Sequence, residues 1–289
     1  MNFKHFGDAG MPFVVALVMT GAVLGVTALV RRLFQRLPRS AGEVRLPTGP
    51  VPAAWPGIIR ENVRLARALE GARWTRLLRL VQNLLRDTPM EGCGGLELTE
   101  AMRVTIAATA CLLLVDLSYP RFARLRRVLV YPDTFMPLRI ETRGMIITRE
   151  QPPAELGEAW RDGVVVLAWN SVKRGDAAGA DGHNVVLHEF AHVLDGEDGV
   201  FDGAPVLDTA AQEAEWERIM ASAYADLLAA IDAGTDTVLD PYAATNRSEF
   251  FAVATETFFE TPQPMQQSMP DVYRQLRAFY GQDPEAHRL

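Results

Sequence analysis

Cysteine is almost missing from this chain, with Cys93 and Cys111 the only two in 289 residues. That excludes a disulfide framework, and Cys111, inside Ala110-Cys-Leu-Leu-Leu-Val, reads as core packing in a reducing compartment. A surplus of positive charge is missing too, since 29 Lys and Arg against 36 Asp and Glu leave a formal net charge of -7. No basic stripe is interleaved with aromatics, so direct nucleic-acid binding is not expected. Internal repeats and extended low-complexity tracts are absent, which sets repeat architectures aside. Histidine is scarce, with five in the chain, so where they fall is informative.

Two of the five lie in Val185-Val-Leu-His-Glu-Phe-Ala-His-Val-Leu-Asp195, an H-E-x-x-H signature. Histidines at i and i+4 project from one helix face and can share a tetrahedral metal, while the glutamate beside the first reaches a water on that metal. A solvated surface helix is the competing reading. The residues between and around the signature (Val185, Val186, Leu187, Phe190, Ala191, Val193, Leu194) are apolar, which predicts a mostly buried helix. Buried histidines need partners, and one ion supplies them for both His188 and His192. Gly196 is expected to cap this helix.

Residues 11–30 (MPFVVALVMTGAVLGVTALV) carry no charge. As a helix rising 1.5 Å per residue, twenty residues reach about 30 Å, the thickness of a hydrocarbon core, so one transmembrane helix is expected. A cleaved signal peptide is the alternative, but the run is long, lacks an A-x-A-like site and is followed directly by arginines. Arg31, Arg32, Arg36 and Arg39 follow the run and Lys4 precedes it, which by the positive-inside rule makes a single-pass protein whose catalytic domain faces the cytoplasm. The expected organisation is therefore an anchor over 1–36, a Pro/Gly-rich linker over 37–57 and a catalytic domain over 58–289.

Helical spacing of apolar residues predicts one or two amphipathic helices over 58–85, an apolar helix over 96–116, and helices over 209–231, 247–259 and 271–280. Val128-Leu-Val-Tyr-Pro, Met145-Ile-Ile-Thr-Arg and Val164-Val-Val-Leu-Ala-Trp read as strands. The fold class is thus α+β, helix-rich, with a small sheet before the metal helix. Because residues 164–169 come shortly before that helix, they are also a candidate edge strand for an extended substrate, an ordinary buried strand being the alternative.

A catalytic zinc needs a third protein ligand and an open position for water. No third histidine follows at short spacing, since Asp195 occupies the third place after His192 and the next histidine is His287. A carboxylate from another helix is favoured, and Glu249 and Glu256, seven apart in an apolar helix, share one face. Either could bind the metal, leaving the other to orient a histidine. Asp195 lies on the ligand face and is a candidate orienting group, whereas His183 falls off it. The acidic, glycine-rich stretch 195–202 lacks the EF-hand pattern and reads as a loop.

From about residue 51 onward the chain resembles the Mlc titration factor A family of zinc-dependent peptidases, of the gluzincin type. The resemblance rests on six blocks in the family's order: Val128-Leu-Val-Tyr-Pro, Val164-Val-Val-Leu-Ala-Trp, His188-Glu-Phe-Ala-His-Val-Leu-Asp, Asp240-Pro-Tyr-Ala-Ala, Ser248-Glu-Phe-Phe-Ala-Val and Glu256-Thr-Phe-Phe. It implies a zincin-like domain holding one catalytic Zn2+ on His188, His192 and Glu249. It further implies Glu189 as general base, Tyr242 as a catalytic phenol and Glu256 as support for a ligand. The N-terminal run departs from the family's pattern.

The function expected is peptide-bond hydrolysis, aminopeptidase-like by resemblance, on a peptide or protein substrate and linked to regulation of sugar uptake. The competing reading is a zinc protein that binds and sequesters a transcriptional repressor. An intramembrane protease is set aside, because Asp181, Gly182, Asp195, Glu197 and Asp198 bracket the metal helix too closely for a span.

Overall fold

The computed structural model describes residues 46–118, 122–133, 140–142, 145–147, 163–177 and 182–287. They belong to one compact unit, Val44–Leu289. Helix α1 (Trp55–Asn62) opens inside the expected linker, because Pro56 falls in the first turn, where its missing N–H costs no helical hydrogen bond. A 3₁₀ turn (Arg64–Ala68) leads to α2 (Gly71–Asp87). The preceding chain docks on α2, where Gln82 Nε2 donates to the Pro50 carbonyl at 2.9 Å.

Strand β1 (Met90–Gly92) comes next and then α3 (Glu100–Leu112), whose Thr99 cap accepts from the Met102 amide. Helix α3 is apolar nearly all round, with every residue from Val104 to Leu112 buried, so it runs through the core rather than along its surface. Strand β2 (Arg127–Tyr131) is followed by the short antiparallel pair β3 (Ile140–Thr142) and β4 (Met145–Ile147), and then by β5 (Val164–Ala168). A three-stranded parallel sheet has the order β1-β2-β5, with Met90 opposite Val128 and Val128 opposite Val165. Parallel strands bury apolar residues, and Val128, Val130, Val165 and Leu167 all point into the core.

Helix α4 (Trp169–Ala177) follows directly, then α5 (Val185–Asp195), α6 (Ala210–Asp232), α7 (Arg247–Glu260), α8 (Pro262–Ser268) and α9 (Pro270–Tyr280). Helices α5 and α7 pack extensively against each other, and α5 also touches α3 and β5. On α7 every residue from Ser248 to Glu260 is buried. Its aromatic side chains Phe251, Phe258 and Phe259 meet Trp216, Phe279 and Tyr280 edge-on or stacked, with ring centroids 5.2–6.3 Å apart where they touch.

The architecture is α+β and helix-rich, with the sheet ahead of α5. The expected transmembrane helix is corrected: among the described residues no helix is long and apolar enough to cross a membrane, and the single-pass, cytoplasm-facing placement loses its support with it. The run 11–30, through which membrane partnership was expected, lies outside the described residues. Cys93 and Cys111 are both free, and Cys111 is buried in α3 as core packing requires.

Candidate metal centre

Helix α5 starts where Asn184 accepts the Leu187 amide on its side-chain oxygen, at 3.2 Å. From that start His188 and His192 emerge one turn apart toward α7. Their Nε2 atoms lie 3.2 Å apart, and Glu249 Oε2 stands 3.0 Å from the first and 3.3 Å from the second. These three atoms are a group able to hold a metal ion. A tetrahedral ion with ligands at about 2.0–2.1 Å keeps its donors about 3.3–3.4 Å apart, close to the spacing here.

The other ring nitrogens decide which groups converge. His188 Nδ1 donates to Glu256 Oε1 at 2.7 Å, and His192 Nδ1 donates to Ser248 Oγ at 3.0 Å. With those nitrogens protonated, each neutral ring turns a lone pair inward, onto the Glu249 carboxylate. Three acceptors meeting in a buried place repel one another unless a cation or proton joins them, so the donor set fits a metal. The same crowding of charges and hydrogen bonds shifts how these groups titrate. Burial disfavours charging His188, yet hydrogen bonds to Glu249 and Glu256 hold its pKa well above the usual value. Burial and the charge of His188 lower that of His192. Glu249 is lowered to about 2, the pull of both histidines outweighing its burial.

Each histidine is braced from behind. On the His188 side, Glu256 Oε2 accepts the Asn184 amide at 2.5 Å, and Asn184 Nδ2 donates to Glu260 Oε1 at 2.9 Å. Arg64 in turn pairs with Glu260. On the His192 side, Ser248 Oγ donates to Asp195 Oδ2 at 2.6 Å, and Asp195 also accepts the amides of Gly203 and Ala204 at 2.9 Å each. Burial pushes the Asp195 carboxyl up to about 7 against these hydrogen bonds.

Glu189 and Tyr242 line a cleft of about 500 Å³ together with His188, Arg174, His183 and Glu256. Tyr242 sits on the 3₁₀ turn Pro241–Ala244, where the Asp240 side chain accepts its amide at 2.7 Å, and its ring centroid is 6.1 Å from that of His188. Burial, with the carboxylates of Glu249 and Glu189, raises its phenol above the ordinary value.

The structure thus brings His188, His192 and Glu249 to one point, places Glu189 and Tyr242 in the adjoining cleft, and sets Glu256 behind His188. Of the two glutamates that spacing left open, Glu249 meets both Nε2 atoms, whereas Glu256 meets only His188 Nδ1. Asp195 reaches His192 through Ser248 rather than directly. His183 stays off the metal group, 3.8 Å from Asp240. Gly196 follows α5 as its cap, yet with φ of −79° it uses none of glycine's freedom. A side chain there would run into the Phe201 ring, at 2.3 Å, and the left-handed turn falls at Gly199.

Three supporting residues escaped the sequence reading. Glu260 follows Glu249 by eleven positions and so falls within about 20° of it on the helical wheel. Asn184 stands immediately before the apolar run, at the capping position. Ser248 beside Glu249 carried no comparable signal.

Residues 37–281 match the family of glucose-regulated metallo-peptidases M90. The chain is 37% identical over 281 residues to a Synechocystis sp. protein titled uncharacterized protein slr2042, covering 93% of this chain and 97% of that one. Mlc titration factor A of Pectobacterium atrosepticum is 31% identical over 228 residues, covering 78% and 85%. Its counterpart in Cronobacter sakazakii is 29% identical over 224 residues, covering 77% and 84%. With most of its length matched, this chain belongs to the M90 family of glucose-regulated metallo-peptidases, the family of Mlc titration factor A.

Proposed function

We propose that the protein is a zinc-dependent peptidase, with His188, His192 and Glu249 as zinc ligands, Glu189 as general base and Tyr242 as donor to the developing oxyanion. The observation that carries this reading is the convergence of two imidazole lone pairs and one carboxylate beside a cleft that also holds Glu189 and Tyr242. Zinc bound there would acidify a water and polarise the scissile carbonyl. Glu189 takes the proton of the attacking water and returns it to the leaving amine. Tyr242, held neutral by its raised pKa, donates a hydrogen bond to the oxyanion without ionising. Strand β5 stands at the edge of the described sheet, which suits pairing with an extended substrate backbone.

The test is hydrolysis of a panel of short peptides by the zinc-loaded full chain. Glu189→Gln should lower kcat by about 10²–10⁴ with zinc content unchanged, and a chelator should abolish turnover reversibly. Peptides with blocked amino termini separate aminopeptidase-like action from internal cleavage. If the folded, zinc-loaded protein cleaves nothing, the reading fails.

The name shared by several relatives, Mlc titration factor A, favours a second reading in which the chain binds and sequesters a transcriptional repressor protein. Repressor capture that is unchanged in Glu189→Gln would support it.

A further inference from the structure

The cleft beside the metal group is also lined by α4, which turns Ser171, Arg174 and Gly175 toward it. These residues are three and four positions apart and so share one side of the helix, while Val172 is buried in the core. Ser171 and Gly175 are small, which leaves Arg174 as the one long side chain that this face offers to the cleft. Gly175 also permits a close approach: a Cβ there would stand 3.3 Å from the His183 carbonyl and 3.4 Å from the Asn184 Cα. Because Asn184 caps α5, that approach holds α4, and Arg174 with it, against the start of the metal helix. Only one terminal nitrogen of the guanidinium is engaged, donating to the Ser171 hydroxyl at 3.0 Å. Among the described residues no carboxylate pairs with it, although Glu256 lines the same cleft and accepts from His188 and the Asn184 amide instead. By contrast, the exposed or half-buried Arg218, Arg247 and Arg274 each hold a carboxylate. Water can satisfy the open donors of Arg174 while the cleft is open. An occupant that displaces this water must supply an acceptor or leave a charged donor unmet.

We infer that Arg174 is a specificity-determining residue that selects peptides bringing a carboxylate into the cleft, as an Asp or Glu side chain or as the peptide's own C-terminus. The inference names a substrate class for the peptidase site and rests on that reading for the peptide itself. A carboxylate takes two parallel N–H donors from a guanidinium, whereas the amide of Gln or of an amidated terminus offers one oxygen and no charge. A lysine or arginine at the same place on a substrate would meet like charge. Strand β5 passes into α4 without a break, so a peptide paired with that strand lies close to the helix face that carries Arg174.

Binding is measured apart from turnover, by calorimetric titration of the zinc-loaded full chain carrying Glu189→Gln. The probes are tetrapeptides with Glu or Gln at each position in turn, each with a free or an amidated C-terminus. A carboxylate-bearing peptide should bind about five- to tenfold more tightly than its amide counterpart. Preference for Glu over Gln assigns the contact to a side chain, and preference for the free over the amidated terminus assigns it to the chain end. Adding Arg174→Gln should erase the preference with zinc content unchanged, because the side chain is exposed. Arg174→Glu should reverse it in favour of the amide. Lys173→Gln removes the neighbouring charge, which lies outside the cleft lining, and should change nothing. The inference is overturned if no peptide binds, if carboxylate and amide bind alike, or if the preference survives Arg174→Gln, as direct ligation of zinc by the carboxylate would. Hydrolysis by the native chain is read separately: cleavage without a carboxylate preference sinks this inference and leaves the peptidase reading standing. An Arg174-dependent preference in a chain that cleaves nothing does the opposite.

Discussion

His188 and His192 sit four residues apart on α5 and turn the same nitrogen toward Glu249, yet different groups hold them there. His188 borders the cleft with its side chain 13% exposed, and a carboxylate grips it directly. His192 is wholly buried and is gripped by a hydroxyl, with the carboxylate one step further back. The difference follows from solvation. Near water a carboxylate can sit beside an imidazole at modest cost, while in a dry interior a charge must be surrounded by donors. Asp195 has three of them, from Ser248, Gly203 and Ala204. The inner brace is therefore part of the fold's core, and the outer brace is part of the site.

Cutting each brace at its carboxylate should break this symmetry most visibly. Asp195→Ala strands the Ser248 hydroxyl and two amides in a buried place, and at about 1–3 kcal/mol for each of these three unsatisfied groups the loss should be at least about 3 kcal/mol of folding stability. That is a large share of the about 5–15 kcal/mol typical of a domain. Glu256→Ala strands the buried Asn184 amide and His188 Nδ1, two groups rather than three and beside the cleft, so it should cost less, about 1–3 kcal/mol. Denaturant unfolding of the two variants decides it, and equal losses would refute the division.

Metal affinity should show the reverse order. Glu256→Gln removes the charge that makes the His188 lone pair a strong donor, so metal affinity should fall about 10–100-fold with the fold intact. Ser248→Ala takes away a neutral partner and should cost nearer tenfold. Competition with a chelator of known affinity measures both. A larger loss in Ser248→Ala would mean that position, rather than charge, governs the ligands.

The outer half of this arrangement was more legible in the sequence than the inner half. His188, His192 and Glu189 follow from local helix spacing, and Glu249 and Glu256 from a shared face of one helix. Such patterns survive because they need only the 3.6-residue period. The Ser248–Asp195 contact depends on how α5 crosses α7, which no local period encodes. Strand β1 was missed for a related reason, since Met90, Glu91 and Gly92 become a strand only by pairing with β2. Pro56 reads from sequence as a linker residue because proline both breaks and begins helices, and the burial of Trp55 and Ile59 selects the second role. Gly196 was assigned to a cap by its place in the chain, although a collision with Phe201 is what demands it.

The smallest effect expected on the inner side lies at Gly199, where the chain turns back toward the amides that grip Asp195. Its φ of +91° is one that side chains with a Cβ rarely adopt. The atoms a Cβ would meet belong to the end of the Arg124 side chain, at 3.1–3.2 Å, which can move aside. Gly199→Ala should therefore cost the backbone term alone, about 1–2 kcal/mol, and lower Tm by a few degrees. Gly203→Ala is the instructive partner: at φ of +79° its Cβ would fall 2.2 Å from the Arg247 carbonyl, next to Ser248. Both variants strain a left-handed turn, but only the second pushes on the helix that carries Ser248 and Glu249. If the inner brace is a rigid part of the core, Gly203→Ala should weaken metal binding as well as folding, while Gly199→Ala leaves metal affinity unchanged.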